Sequence, residues 1–247
     1  MPIRFISKVF TNTTLQAFIY VSYYKNQNKT TAIFECMKGN YDNVAPFYDL
    51  LLRLVYGKAI LRAQLFLIDA IQANDSILIV GGGTGQILEQ ISKKYTSGLQ
   101  ITYVDISKKM IALSAKKNAE GNSVVFINQS IADVTLDHQF DVIITPFFFD
   151  NFLNKTAKII FNKIDLALKP NGRWLFADFQ LRKNNLWQKL LLYVMYFFFK
   201  LLCNIEAGQL QDFIVLFTES NNKKISMQTF FKKFIYAVIY LKPDDQG

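Results

Sequence analysis

The spacing of apolar residues changes along this chain, and the changes mark out its parts. Residues 1–36 are rich in Thr, Asn and Tyr and show no clear period. From about Val44 to Ala73 the residues Leu51, Leu54, Val55, Ile60, Leu61, Leu65 and Ile68 recur at helical spacing, which predicts one bent helix or two in succession. Short apolar runs then alternate with helical stretches. Strands are predicted at Ile77–Val80, Gln100–Asp105, Val124–Asn128, Phe140–Thr145 and Arg173–Asp178. Helices are predicted over Gln86–Lys94, Lys108–Ala119 and Phe152–Leu168, the last stopped by the turn Lys169-Pro170-Asn171-Gly172. Strand and helix alternating at this pitch describe an α/β fold, a parallel sheet covered on both faces. The stretch Phe230–Leu241 reads as a further, inner strand because β-branched and aromatic residues crowd it. Leu190–Phe199 is the most apolar segment, yet it is shorter than the roughly 18–20 residues of a spanning helix. Lys200 interrupts it, so it reads as a helix over the sheet with one face walling an apolar pocket.

The first predicted strand runs into Gly81-Gly82-Gly83-Thr84-Gly85, and that turn opens a helix. Glycines at 81, 83 and 85 let the backbone turn sharply and approach a ligand closely. A helix starting there directs unpaired N–H groups and partial positive charge at whatever fills the turn. Asp105 ends the second strand, where a carboxylate can accept hydrogen bonds from both hydroxyls of a ribose. The arrangement predicts a nucleoside-bearing cofactor, against the plainer reading of a tight strand–helix turn with no ligand. A dinucleotide site needs Gly-x-Gly-x-x-Gly, and the closing position here is Gln86.

Composition narrows the choices. The 247 residues suit one sizeable domain, with 23 phenylalanines in its apolar content. Cys36 and Cys203 form no disulfide framework and no metal-ligand spacing, which fits a reducing cytoplasm. The single histidine, His138, argues against histidine-based zinc sites and a Ser-His-Asp hydrolase, and reads as a surface residue. The formal charge is +9, but the lysines fall in scattered pairs such as Lys93-Lys94 and Lys223-Lys224. These read as solvated helix faces, so nucleic acid is disfavoured and peripheral contact with a membrane stays open. The apolar patch Ala17–Val21 is too short for a secretory signal. Met37 opens the block that begins the compact pattern. Residues 1–36 are therefore expected to be an extension, either mis-called or disordered, and 37–247 the domain.

Several blocks in order resemble the class I S-adenosylmethionine-dependent methyltransferases, particularly the ubiquinone/menaquinone-biosynthesis group. They are YDNVAPFYDLL at 41–51, ILIVGGGTG at 77–85, YVDISKKMIALSAKK at 103–117, FDVIITPFFFDNF at 140–152 and LKPNGRWLFADF at 168–179, with IEAGQLQDF at 205–213 and FIYAVIYLKP at 234–243. The resemblance implies a Rossmann-like, doubly wound, mainly parallel seven-stranded sheet with helices on both faces. It implies S-adenosylmethionine as cofactor, its methionine part on Gly81, Gly83 and Gly85, its ribose on Asp105 and its adenine against Ile106. The first block would be a helix covering the cofactor. Two positions depart from the family pattern. Ile79 stands where many relatives carry an acidic residue, and Ser130 stands where an Asp contacts the adenine amine. A serine hydroxyl can still accept that hydrogen bond, more weakly.

Thr145-Pro146-Phe147-Phe148 misses two positions of the Asn/Asp-Pro-Pro-Tyr/Phe motif that grips an exocyclic amine, so adenine-N6 and glutamine substrates are disfavoured. The expected reaction is methyl transfer to a small, hydrophobic or aromatic acceptor. The alternatives are an inactive binding protein on the same fold, and an RNA- or membrane-associated methyltransferase. Asp49, Tyr41, Tyr48 and Asp150 are candidate bases by placement alone. Acceptor atom and oligomeric state stay open.

Overall fold

The computed structural model describes residues 42, 45–136, 139–181, 185–203 and 212–244, all within the unit Gly39–Gly247. For residues 196–203 only the backbone is described. The expected 1–36 extension, Cys36, Tyr41, His138 and most of the 205–213 block lie outside the described residues. The elements run α1 (Tyr48–Tyr56), α2 (Ala59–Ile68), β1 (Ser76–Val80), α3 (Gln86–Lys94), β2 (Ser97–Val104), α4 (Lys108–Ser114), β3 (Gly121–Ile127) and β4 (Phe140–Pro146). A short 3-10 turn, Phe149–Asn151, precedes α5 (Asn154–Leu166), β5 (Leu168–Phe179), α6 (Leu186–Cys203), α7 (Ile214–Glu219), β6 (Lys223–Phe230) and β7 (Ile235–Leu241).

The strands form one seven-stranded sheet in the order β3-β2-β1-β4-β5-β7-β6. Strands β1 to β5 pair in parallel, and β7 lies antiparallel to both β5 and β6. The expected doubly wound sheet is thus present, mainly parallel with one antiparallel hairpin. Strand order reverses direction between β1 and β4, and the β1–α3 turn lies at that switch point, where open α/β sheets place their ligands.

Side chains alternate across the sheet and build two cores. On one face Ile77, Ile79, Ile101, Val142, Leu175 and Ala237 pack with Leu67 of α2 and Ile87 of α3. Ile79 is fully buried there, so the position where relatives carry a carboxylate belongs to the core here. On the other face the rings of Phe161 and Trp174 stack at 4.7 Å, and Phe217 meets Trp174 edge-on at 5.0 Å. Phe217 also stacks on Tyr240 at 3.9 Å, so much of the phenylalanine content forms one aromatic layer beneath α5 and α7.

Several boundaries differ from expectation, each for a local reason. The 44–73 stretch is two helices because Gly57 takes φ 59° between α1 and α2. Helix α4 stops at Ser114 rather than Ala119, and the chain turns at Ala115–Lys117 to reach an earlier β3. The helix expected from Phe152 starts at Asn154. Strand pairing on β5 begins at Leu168 opposite Phe140, then slips so that Arg173 meets Val142. The turn at Lys169–Gly172 is absorbed as that irregularity, with Asn171 at φ 60°. Strand β6 was not anticipated. It is an edge strand with almost every residue exposed or half-exposed, so its apolar pattern is weak.

Arg173 ties the α2–β1 junction to the sheet. Its guanidinium donates to both oxygens of Asp75 at 2.9 and 3.1 Å and to the carbonyl of Ala70 at 2.7 Å. Asp75 also accepts the Gln72 N–H at 2.7 Å. Both side chains are largely buried. Removing the cation strands a buried carboxylate, so Arg173→Ala should lose about 3 kcal/mol of unfolding free energy in urea. Lys93→Ala, which removes an exposed pair with Glu89, should leave the urea midpoint unchanged.

Candidate active site

The carboxyl ends of β1, β2 and β4 meet around the glycine turn. Gly81, Gly83 and Gly85 all have positive φ, at 67°, 62° and 85°. Gly85 is the residue before α3, and a Cβ there would stand 2.8 Å from the Ser114 backbone, so the glycine is needed for α3 to seat against α4. At Gly82 a Cβ would collide with the Tyr103 hydroxyl. That hydroxyl donates to the Gly83 carbonyl at 3.0 Å, so β2 holds the turn through a buried tyrosine.

Asp105 sits directly beside the turn. One carboxylate oxygen accepts the Gly83 N–H at 3.2 Å and the other accepts the Ser107 N–H at 2.9 Å. Burial raises its pKa to about 6, against the pull of these two donors, and the nearby Asp42 charge adds to the rise. An ionised carboxylate offers about four acceptor positions, and two are occupied, which leaves two for a pair of vicinal hydroxyls. The fit is to a diol such as a ribose. Asn128 reinforces the strand end by donating to the carbonyls of Asp105 and Ile106 at 3.1 and 2.9 Å. Ile106 follows with its side chain 40% exposed, an open apolar surface next to the carboxylate.

Ser130 lies beyond β3, half-buried, with its hydroxyl accepting the Ala132 N–H at 3.3 Å. The structure therefore gathers Gly81, Gly83, Gly85, Asp105 and Ile106 at one place. Ser130 lies past the end of β3, which pairs with β2, and its oxygens accept hydrogen bonds from Ala132, Asp133 and Val134 of its own turn.

The first block of the resemblance does cover the turn. The Thr84 hydroxyl donates to Asp49 of α1 at 2.6 Å, and a Cβ on Gly83 would be 3.7 Å from the Tyr48 ring. Asp42 caps the other helix. It accepts the Ser107 hydroxyl at 2.5 Å and the Lys109 N–H at 3.1 Å, and the serine bond holds its pKa below the usual carboxylate range. Asp49, one of the candidate bases, is thus engaged as a tether.

The end of β4 forms an aromatic wall. The Phe148 ring lies against the position where a Gly81 Cβ would stand, and Phe147 packs on Phe179 at 4.9 Å. Phe147 has φ 54°, a strained value for a residue with a Cβ, and the Asn151 amide donates to the Phe148 carbonyl at 3.0 Å to hold the bend. Thr145 does not point an oxygen at this wall. Its hydroxyl accepts the Trp174 indole N–H at 2.9 Å in the core, which agrees with the absence of an amine-gripping motif.

Asp178 is the residue that sequence reasoning missed. It ends β5, fully buried, and accepts the Asp150 N–H at 3.2 Å and the Phe179 N–H at 2.8 Å. It thereby fixes the 3-10 turn that carries Asp150, whose carboxylate accepts from Asn151 at 2.9 Å. Burial pushes both carboxyls above the usual range, and for Asp178 the neighbouring Asp150 charge adds to the rise. The signal available in sequence was an acidic residue closing an otherwise apolar strand, LFADF. Among the described residues no cluster of His, Cys, Asp and Glu is arranged to hold a metal ion.

Comparison with known proteins agrees with this geometry. Residues 78–174 match the family described as "Methyltransferase domain". The ubiquinone/menaquinone biosynthesis C-methyltransferase UbiE of Geotalea daltonii is 29% identical over 157 residues, 61% of this chain and 66% of that protein. The putative methyltransferase YqeM of Bacillus subtilis is 29% identical over 103 residues, 40% of each chain. The matched regions therefore span less than two thirds of these relatives. In fold, the N-methyltransferase NodS of Bradyrhizobium japonicum, solved with S-adenosyl-L-homocysteine, superposes with a TM-score of 0.58 at 13% identity, covering 74% of this chain and 86% of that one. Magnesium protoporphyrin IX methyltransferase of Synechocystis, also with S-adenosylhomocysteine, gives 0.56 at 14% identity, covering 74% and 81%. With the strand order, the glycine turn and the carboxylate that follows β2 in place, residues 78–174 match a methyltransferase domain and the chain resembles the class I S-adenosylmethionine-dependent methyltransferases.

Proposed function

We propose that the chain transfers a methyl group from S-adenosylmethionine to a small, hydrophobic or aromatic acceptor. The observation that carries this reading is the placing of the Asp105 carboxylate within hydrogen-bond reach of the Gly81–Gly85 turn, with two acceptor positions left over. Asp105 takes the ribose hydroxyls. Gly81, Gly83 and Gly85 allow the backbone to approach the methionine part, and Ile106 lies against the adenine. Ser130 accepts from the adenine amine only weakly, because its oxygen already accepts from Ala132.

When bound, S-adenosylmethionine supplies an electrophilic sulfonium methyl, so the protein's work is alignment and exclusion of water. Tyr48 covers the turn from above, and Phe147, Phe148 and Phe179 form the dry side against which an apolar acceptor lies. Asp150 receives a proton where the acceptor must lose one, and Asp178 positions the turn that presents it. The names of the UbiE relatives, which refer to ubiquinone and menaquinone biosynthesis, support an aromatic acceptor of quinone-like chemistry. A cytoplasmic setting accords with two cysteines that build no disulfide framework.

Calorimetry with S-adenosylmethionine tests the cofactor assignment. Asp105→Ala should weaken binding at least tenfold, the loss expected for hydrogen bonds to a charged group. No binding by the native chain, or affinity untouched by the substitution, would reject it. The pH dependence has a definite sign. Asp105 binds hydroxyls best when ionised, and its pKa in the free protein is about 6. Affinity should therefore rise from pH 5 to pH 7 and then level off, and Asp105→Asn should flatten that rise.

Methyl transfer to a demethylated quinol of short side chain tests the acceptor. Asp150→Asn should lower kcat by about a hundredfold or more, with the cofactor Kd unchanged. It should also abolish a rate increase that, in the native enzyme, falls above the ordinary carboxylate range. Equal kcat in native and variant enzyme would make Asp150 structural.

A further inference from the structure

Helix α6 is apolar on both sides. Its inner face seats Leu191, Leu192 and Met195 against the core. Its outer face carries Leu186, Leu190, Tyr193 and Val194, exposed by 79%, 65%, 70% and 54%. At about 100° per residue these four positions fall on one stripe roughly 100° wide, opposite the buried arc. A stripe of large apolar residues on one helix is a surface that awaits a partner, unlike scattered exposed leucines.

Among the described residues, the charged side chains that flank the stripe on α6 and on the adjoining hairpin are lysines. Lys189 flanks it on α6, where residues 186–203 include no Asp or Glu. On the other flank Trp187 lies under the ammonium of Lys232 at 5.7 Å and meets the Phe231 ring at 5.8 Å. Phe231, Lys232 and Lys233 all have positive φ, and this tight β6–β7 hairpin leaves both lysines exposed beside the helix. Helix α1 adjoins the same region. Tyr56 donates to the Met195 sulfur at 2.8 Å and packs edge-on to Phe231 at 5.4 Å. Leu50 and Leu54 of α1 are exposed, with Arg53 between them. The acidic residue of α1, Asp49, is tied to Thr84.

We propose that the outer face of α6, with the Phe231–Lys233 hairpin beside it, docks on the surface of an anionic lipid bilayer. A protein partner with an apolar groove would match the stripe. It would leave the one-sided cationic rim and the tryptophan at the boundary between apolar and charged residues without a role. A lipid surface uses all three: acyl chains meet Leu190 and Tyr193, headgroups meet Trp187, and anionic charge meets Lys189, Lys232 and Lys233. The helix lies in the interface rather than crossing it, since among the described residues no helix is long and apolar enough to span a membrane. This docking does not depend on which acceptor the enzyme methylates.

Flotation of the full chain with phosphatidylcholine vesicles, with and without phosphatidylglycerol, tests the proposal. The protein should float with the anionic vesicles and not with the neutral ones, and added salt should release most of it. Leu190→Glu and Tyr193→Glu should each lower the bound fraction about tenfold, the effect of withdrawing one large apolar side chain. Lys189→Glu combined with Lys232→Glu should do the same without touching the apolar stripe. Leu166→Glu, on the outer side of α5 and 74% exposed, should change nothing. S-adenosylmethionine affinity should be equal in all variants, which shows that they are folded. The proposal is overturned if the native chain does not float with anionic vesicles, or if the α6 and hairpin variants float like the native chain. It is equally overturned if Leu190→Glu breaks a dimer in sedimentation while flotation is unchanged.

Discussion

Gly83 is held by β2 from two sides. Its N–H donates to the Asp105 carboxylate and its carbonyl accepts the Tyr103 hydroxyl, so a flexible glycine turn becomes a fixed surface. Both bonds depend on the parallel pairing of β1 with β2, which sets Val80 beside Val104 and brings the turn and the carboxylate to the same level. They also depend on the missing side chain at Gly82, without which Tyr103 could not reach. Much of what surrounds the site then follows from this contact. Helix α3 starts where the turn ends, α4 starts where Asp105 and Ser107 turn the chain, and Asp42 closes the second of those helix ends.

The same sheet places two acidic positions at its carboxyl edge, one half-buried and one fully buried, with different consequences. Asp105 is half-buried and keeps two backbone donors, so it can still be ionised near neutral pH. Asp178 and Asp150 share a more enclosed environment, where the charge of one disfavours the charge of the other. Two groups of one chemical kind are thereby given different tasks by their surroundings. In the proposed function, Asp105 recognises a diol while charged. The other pair retains a proton over a range where an isolated carboxylate has lost it.

Much of this was legible in the sequence, because the signals were local. The run ILIV followed by glycines, and ITYV followed by Asp105, each state a strand, its end and a polar group within a few residues. Helix α3 has the bounds its periodicity predicts. What was not legible came from contacts between distant segments. Asp178 and Asp150 are 28 positions apart in sequence, and nothing near either one announces the other. Tyr103 reads as an ordinary apolar strand residue until β1 lies beside it. Strand β6 escaped because an edge strand exposed on both faces has no buried side to impose a period. Helix α4 ends earlier than its sequence predicts for a related reason. Ala115, Lys116 and Lys117 suit a helix, and only the need to return to β3 at Gly121 ends it early.

The central claim is that Asp105 and the glycine turn form one nucleoside site. A crystal structure of the chain grown with S-adenosylhomocysteine tests it most directly. The account predicts both ribose hydroxyls within hydrogen-bond distance of the Asp105 carboxylate, with the amino-acid part of the ligand against Gly81–Gly85 and the adenine on Ile106. A ligand bound elsewhere, or an Asp105 carboxylate that bonds only to Gly83 and Ser107 while the ligand is present, would contradict it.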